Sequence, residues 1–192
     1  MAVVSIAEAW PTAGRPFTVA DLDRMPDDGR RYELLDGTLI VSPRPTNPHQ
    51  EVAMELAVQL RRACPRHSRV IPEPAVQLSA TTEFDPDIAV IQREQVNAAK
   101  CTVPPLLVVE IRSPSTALID LGRKKAAYEQ FGVPAFWVVD PRVNKASLTV
   151  FELAGGRYRQ TAQVSGDEPY RTQQPFPIEV VPSALVAGLR TD

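Results

Sequence analysis

The stretch LLVVEIRSPSTALIDLGRKKAAYEQFGVPAFWVVDP, residues 106–141, decides the fold. Its opening run LLVV is short, apolar and rich in β-branched residues, so it reads as a strand that ends at Glu110. Because it is apolar almost throughout, it belongs in the middle of a sheet covered on both faces. After the short connector SPST, a helix is expected from about Ser115 to Phe131, with Gly132 as its stop. PAFWVVDP then reads as a second buried strand.

Upstream, RVIPEPAVQLS and FDPDIAVIQ read as two more strands. Asn47 and Pro48 open a helix to about Cys64, with Val52, Leu56 and Leu60 on one apolar face. In RYELLDGTLIVSP, Asp36-Gly37 separates two apolar runs and marks a tight hairpin. Thr18 caps a short helix through Met25, with Asp21 in its first turn. Downstream, LTVFELAGGRYRQTAQV is a hairpin turning at Gly155-Gly156, and the tail holds a last short strand and a helical turn. The expected architecture is an α/β or α+β sandwich, a mixed central sheet flanked by helices, with a hairpin at each end. Residues 1–16 read as a flexible leader and 17–192 as one domain.

Composition narrows the classes. A chain of 192 residues, 44% hydrophobic, is large enough for a sizeable core. Its 19 prolines lie mostly between apolar runs and act as punctuation. Only Cys64 and Cys101 are present, without a metal-binding spacing, which argues against structural zinc and for a reducing cytoplasm. A net charge of −2 argues against a dedicated high-affinity nucleic-acid binder but leaves room for a local basic groove. No apolar run reaches the ~18 residues of a membrane span.

Two carboxylates need an explanation. Pro86 holds the chain extended before Asp87, which stands at the entrance of IAVI. Asp87 is either a turn residue or a directed functional acid. Glu110 lies in a run suited to complete burial, where a carboxylate needs a partner. Arg112, two residues on, is one candidate; a cation shared with Asp87 is another. In the following helix Asp120, Lys124 and Tyr128 recur at i, i+4 and i+8 and form one stripe, each step covering about 6 Å of axis. That stripe is either a solvent face or a line aimed at the strand end where Glu110 stands. Lys125 lies off it. Glu33, beside Tyr32 in the first hairpin, is a third acid or an ion-pair partner. His49, in the first turn of the long helix, is a phosphate contact, a proton carrier or a packing residue.

PDIAVI, the 106–141 block, RYELLDGTLIVSP and PHQEV together resemble the bacterial Uma-two type family, whose members are labelled restriction endonucleases within the PD-(D/E)XK nuclease superfamily. The resemblance spans roughly residues 17–186. It implies a restriction-endonuclease-like core of order α-β-β-β-α-β and a metal-dependent site. By position it gives Asp87 and Glu110 as catalytic acids and metal ligands, and Lys124 as the lysine. Glu33, His49, Asp120 and Tyr128 are accessory. Arg112 occupies the place where the simple motif has lysine, and arginine is a poor base. The function expected is DNA phosphodiester hydrolysis with Mg²⁺ (or Mn²⁺), by a homodimer without membrane attachment. Two other functions fit the residues: a module that kept the fold and lost the reaction, and a metal-dependent hydrolase of a smaller phosphoester.

Overall fold

The computed structural model describes residues 14–113 and 119–190, the side chains of 119–121 excepted. Of the expected leader, residues 1–13 lie outside the described residues; Arg15 is tied to Asp21 at 2.6 Å. A helical turn, Val19–Leu22 (α1), is capped by Asp21, whose carboxylate accepts the Thr18 N–H and hydroxyl. Strands Arg30–Leu35 (β1) and Thr38–Pro43 (β2) form the first hairpin. Asp36 and Gly37 both have positive φ, 48° and 75°, as a two-residue turn matched to strand twist requires.

Helix Asn47–Ala63 (α2) follows, with Pro48 in its first turn, where no N–H partner is needed. It buries His49, Val52, Ala53, Leu56 and Leu60 on one face. The strands Ser68–Pro72 (β3), Val76–Ser79 (β4), Thr82–Phe84 (β5), Ile88–Gln92 (β6) and Leu107–Ile111 (β7) come next. Helix Ile119–Phe131 (α3) ends at Gly132, which has φ 90° and donates its N–H to the Tyr128 carbonyl. The expected first turn, Ser115–Leu118, lies outside the described residues. The remaining elements are Ala135–Asp140 (β8), Ser147–Ala154 (β9), Arg157–Ser165 (β10), Tyr170–Thr172 (β11), Ile178–Val180 (β12) and the turn Pro182–Leu185 (α4).

Six strands form the main sheet in the order β10-β9-β8-β7-β6-β3. β7 and β8 run parallel, joined across α3, and every other pairing is antiparallel. The sheet is therefore mixed, and its α2-β3-β6-β7-α3-β8 series has the expected order, with β4 and β5 inserted after β3. All five residues of β7 are buried, as a central strand with both faces covered requires. A second sheet, β2-β1-β5-β4, packs against the other face. Leu107, Val109 and Ile111 join the core under α2, whereas Val108 joins Leu35, Phe84, Tyr128 and Phe136 on the α3 side. Alternation along the strand turns Glu110 toward the Val108 side.

RVIPEPAVQLS is two strands in two sheets rather than one. Pro72 and Pro74 remove ladder donors and Glu73 takes φ 46°, so the chain turns between β3 and β4. The short β5 and β11 were not among the expected strands.

Candidate active site

The ladder that builds the sheet also juxtaposes the two acids. Ile88 pairs with Val109 in the antiparallel β6–β7 register, so Asp87 and Glu110 stand one residue past it on facing chains. Asp87 Oδ2 accepts the Ile111 N–H at 2.6 Å, which fixes its carboxylate across the end of β7. Helix α3 brings Lys124 and Tyr128 to the same place. Lys124 Nζ lies 3.5 Å from Glu110 Oε1, and the Tyr128 hydroxyl donates to that oxygen at 3.2 Å. Tyr128 is held between Phe84 and Phe136, with ring centroids at 5.4 and 5.6 Å.

Glu33 joins from β1. Its Oε1 receives Lys124 Nζ at 2.7 Å and the Asp85 N–H at 3.0 Å. His49 joins from α2, with Nε2 at 3.3 Å from Asp87 Oδ2 and 3.2 Å from the Ile111 carbonyl oxygen. Glu33, Asp87, Glu110 and Lys124 are each no more than 6% exposed. They lie at the floor of a cleft of about 540 Å³, whose rim carries Arg44, Arg112 and Arg142.

Burial opposes every charge here, and the neighbours decide which survive. Burial pushes the Glu110 carboxyl up to about 7; Lys124 opposes this, while Asp87 and Glu33 add to it. Asp87 shows the opposite balance. The hydrogen bond and charge of His49, the Ile111 N–H and Arg31 outweigh burial and hold it below the usual aspartate range. Asp87 in turn outweighs the burial of His49 and raises it. Lys124 is held above the ordinary lysine range because Glu110 and Glu33 outweigh its burial. Asp85 is pushed up to about 6 by burial and by Glu33. The neighbouring carboxylates thus share Lys124 and Arg31 as resident cations, and Asp87 also faces His49.

Among the described residues no three His, Cys, Asp or Glu side chains converge as a metal site. Two side chains and one carbonyl do converge: Asp87, His49 and Ile111. Asp87 Oδ1 is buried without a hydrogen-bond partner and faces Arg31 Nη2 at 3.5 Å, so it keeps free lone pairs. Glu110 is engaged by Lys124 and Tyr128. The Asp87 carboxylate and the Ile111 carbonyl are oxygen donors of the kind that suits a hard divalent ion such as Mg²⁺ or Mn²⁺.

Six of the seven residues singled out from sequence have described side chains, and these six line or back this cleft. The Asp120 side chain lies outside the described residues. Lys125 is turned away, its Nζ 4.0 Å from the Phe151 ring centroid. Arg112 does not pair with Glu110; it meets Asp140 at 3.3 Å. Sequence reasoning missed Arg31, Asp85, Asp140 and Arg142. Asp140-Pro141-Arg142 carried a usable signal, a carboxylate closing a buried strand just as Glu110 does. Arg31 carried none, since only the sheet-to-sheet packing brings it to Asp87.

A family model described as Uma2, "Putative restriction endonuclease", matches residues 19–185. Among solved structures, the chain is similar to a crystal structure described as a putative nuclease belonging to DUF820 from Anabaena variabilis ATCC 29413. The two share 19% identity with a TM-score of 0.72, over 91% of this chain and 100% of the other, a likeness of fold. No match was found among curated proteins.

Proposed function

The chain belongs to the Uma2 family of restriction-endonuclease type, and we propose that it is a metal-dependent endonuclease hydrolysing DNA phosphodiester bonds at the Asp87–Glu110–Lys124 cleft. The observation that carries this reading is the meeting of two buried acids and a buried lysine, from three elements, under a rim of arginines. A bound Mg²⁺ or Mn²⁺ would supply an activated water and offset charge on the transferring phosphoryl group.

The chain's own residues then have separable tasks. Asp87 and Glu110 would hold the ion. Lys124 keeps its proton, so it stabilises negative charge developing on the phosphate rather than acting as the base. Glu33 and Tyr128 position Lys124 and Glu110 respectively. Arg44, Arg112 and Arg142 meet neighbouring phosphates of the strand at the cleft mouth. Two copies, one per strand, suit duplex cleavage.

A second reading is a binding module that kept the fold and lost the reaction. It is favoured by the 2.7 Å tie of Lys124 to Glu33 and by arginine in the place of the motif lysine. Plasmid and single-stranded DNA, incubated with Mg²⁺ or Mn²⁺, separate the two. The nuclease reading expects cleavage that stops on chelation and is lost in Asp87→Ala. Intact DNA with the wild type under both metals, or equal cleavage by the variant, overturns it.

A further inference from the structure

Beside α3, the sheet face carried by β8, β9 and β10 opens as a groove of about 260 Å³. The strand register lays out its floor: Phe136 lies opposite Phe151 and Val138 opposite Thr149, with Gln163 on the far side of Thr149. Arg112 and Asp140 line both this groove and the cleft, so the two share a wall. Asp140, the groove's one carboxylate, is already taken by Arg112 and Arg142. Lys125 meets no carboxylate at ion-pair distance among the described residues, and its ammonium rests 4.0 Å from the centre of the half-buried Phe151 ring. Gly122, the fourth residue of α3, lines the same groove. Its backbone needs no glycine, since a Cβ there would meet nothing within 4 Å. Glycine weakens a helix relative to alanine, so the fold gains nothing from it. What the missing side chain leaves is open space over Phe151 and Lys125.

We propose that this groove takes one unpaired nucleotide of the strand held in the cleft, with its base stacked on Phe151 and its phosphate on Lys125. The proposal rests on the DNA reading above and narrows the substrate to strands with an unpaired nucleotide beside the cut. The ammonium over Phe151 marks a ring face that is open to a ligand. A stacked base gains more there than an exposed ammonium does, and the flexible lysine stem lets Lys125 move off the ring onto the phosphate. Thr149 and Gln163 supply a hydroxyl and an amide for the edge of the base. In a duplex that edge is already used in pairing, which is why the nucleotide must be unpaired.

The full chain is titrated with a short thymidine strand, an abasic strand of the same length and a blunt duplex, in chelator and again in Ca²⁺, and binding is read by anisotropy. Wild type should hold the thymidine strand about tenfold or more tighter than the abasic one, the worth of a stacked base. Gly122→Leu fills the groove from a helix that leucine favours, so it should bring the thymidine strand to the abasic level and leave the duplex unchanged. Phe151→Leu should remove the same preference. Gly122→Ala should keep it and raise the urea midpoint. Equal affinity of wild type for the thymidine and abasic strands overturns the inference. A thymidine strand bound alike by wild type and Gly122→Leu, but weakened by Arg44→Ala, overturns it and leaves the nuclease reading standing. Wild-type dimers that Gly122→Leu separates, with DNA affinity unchanged, give the groove to a second copy and overturn it too. No binding of any of the three under either condition overturns both readings. If Phe151→Leu does not fold, Gly122→Leu and the abasic strand still decide.

Discussion

Glu110 is the residue whose environment can be read most directly in solution. Its folded-state value of about 7 lies above the ordinary 4.5, because burial penalises its charge. Between those values the folded chain keeps a proton that the unfolded chain releases. Stability in metal-free buffer therefore falls as pH rises from about 4.5 to about 7, by a contribution on the order of 3 kcal/mol. Asp85, pushed up to about 6, acts with the same sign. Asp87 acts oppositely: it is held low, so its contribution is present at neutral pH and lost only in acid. Urea unfolding at pH 5 and 7.5 should show the fall, and Glu110→Gln, neutral at both, should remove most of its share. An unchanged slope in the variant would mean that Glu110 is ionised throughout. The sequence flagged Glu110 as a buried carboxylate without giving its partners, since Arg112 was as near in sequence as Lys124 was in space.

At the scale of elements, strand and helix positions were legible because apolar periodicity is a local signal. The β1–β2 hairpin is the clearest case, and it also carries Glu33 to Lys124. Its turn depends on Gly37 twice over. The φ of 75° disfavours any side chain, and a Cβ there would lie 2.4 Å from Pro16 Cβ. Gly37→Ala should cost more than the ~1–2 kcal/mol of a left-handed L-residue, seen as a lower urea midpoint. A neutral result would show that the 15–17 segment yields freely. The β3–β4 break was less legible, because strand propensity in RVIPEPAVQLS continues across prolines that only the tertiary arrangement assigns to separate sheets.

Across the whole molecule, charge is segregated rather than abundant. The net charge is −2, yet the acids lie at the cleft floor while Arg44, Arg112 and Arg142 stand at its rim. DNA affinity without added metal should weaken steeply with salt. Arg44→Ala with Arg112→Ala should lower the logarithmic salt slope by about 2, measured by anisotropy between about 50 and 200 mM salt. A slope equal to that of the wild type would place the strand elsewhere. Net charge could not show this, because a sum over the chain carries no position. The sequence alone determined most of the strands and helices, though not β5, β11 or the break between β3 and β4, and that Asp87 and Glu110 needed neutralising, since burial and periodicity are written locally. Only the tertiary structure decided what neutralises them. The antiparallel register set the acids side by side, α3 chose Lys124 over Lys125, and the packing of α2 put His49 at the Ile111 carbonyl. Those choices arise from contacts between residues tens of positions apart, whose geometry no local pattern encodes.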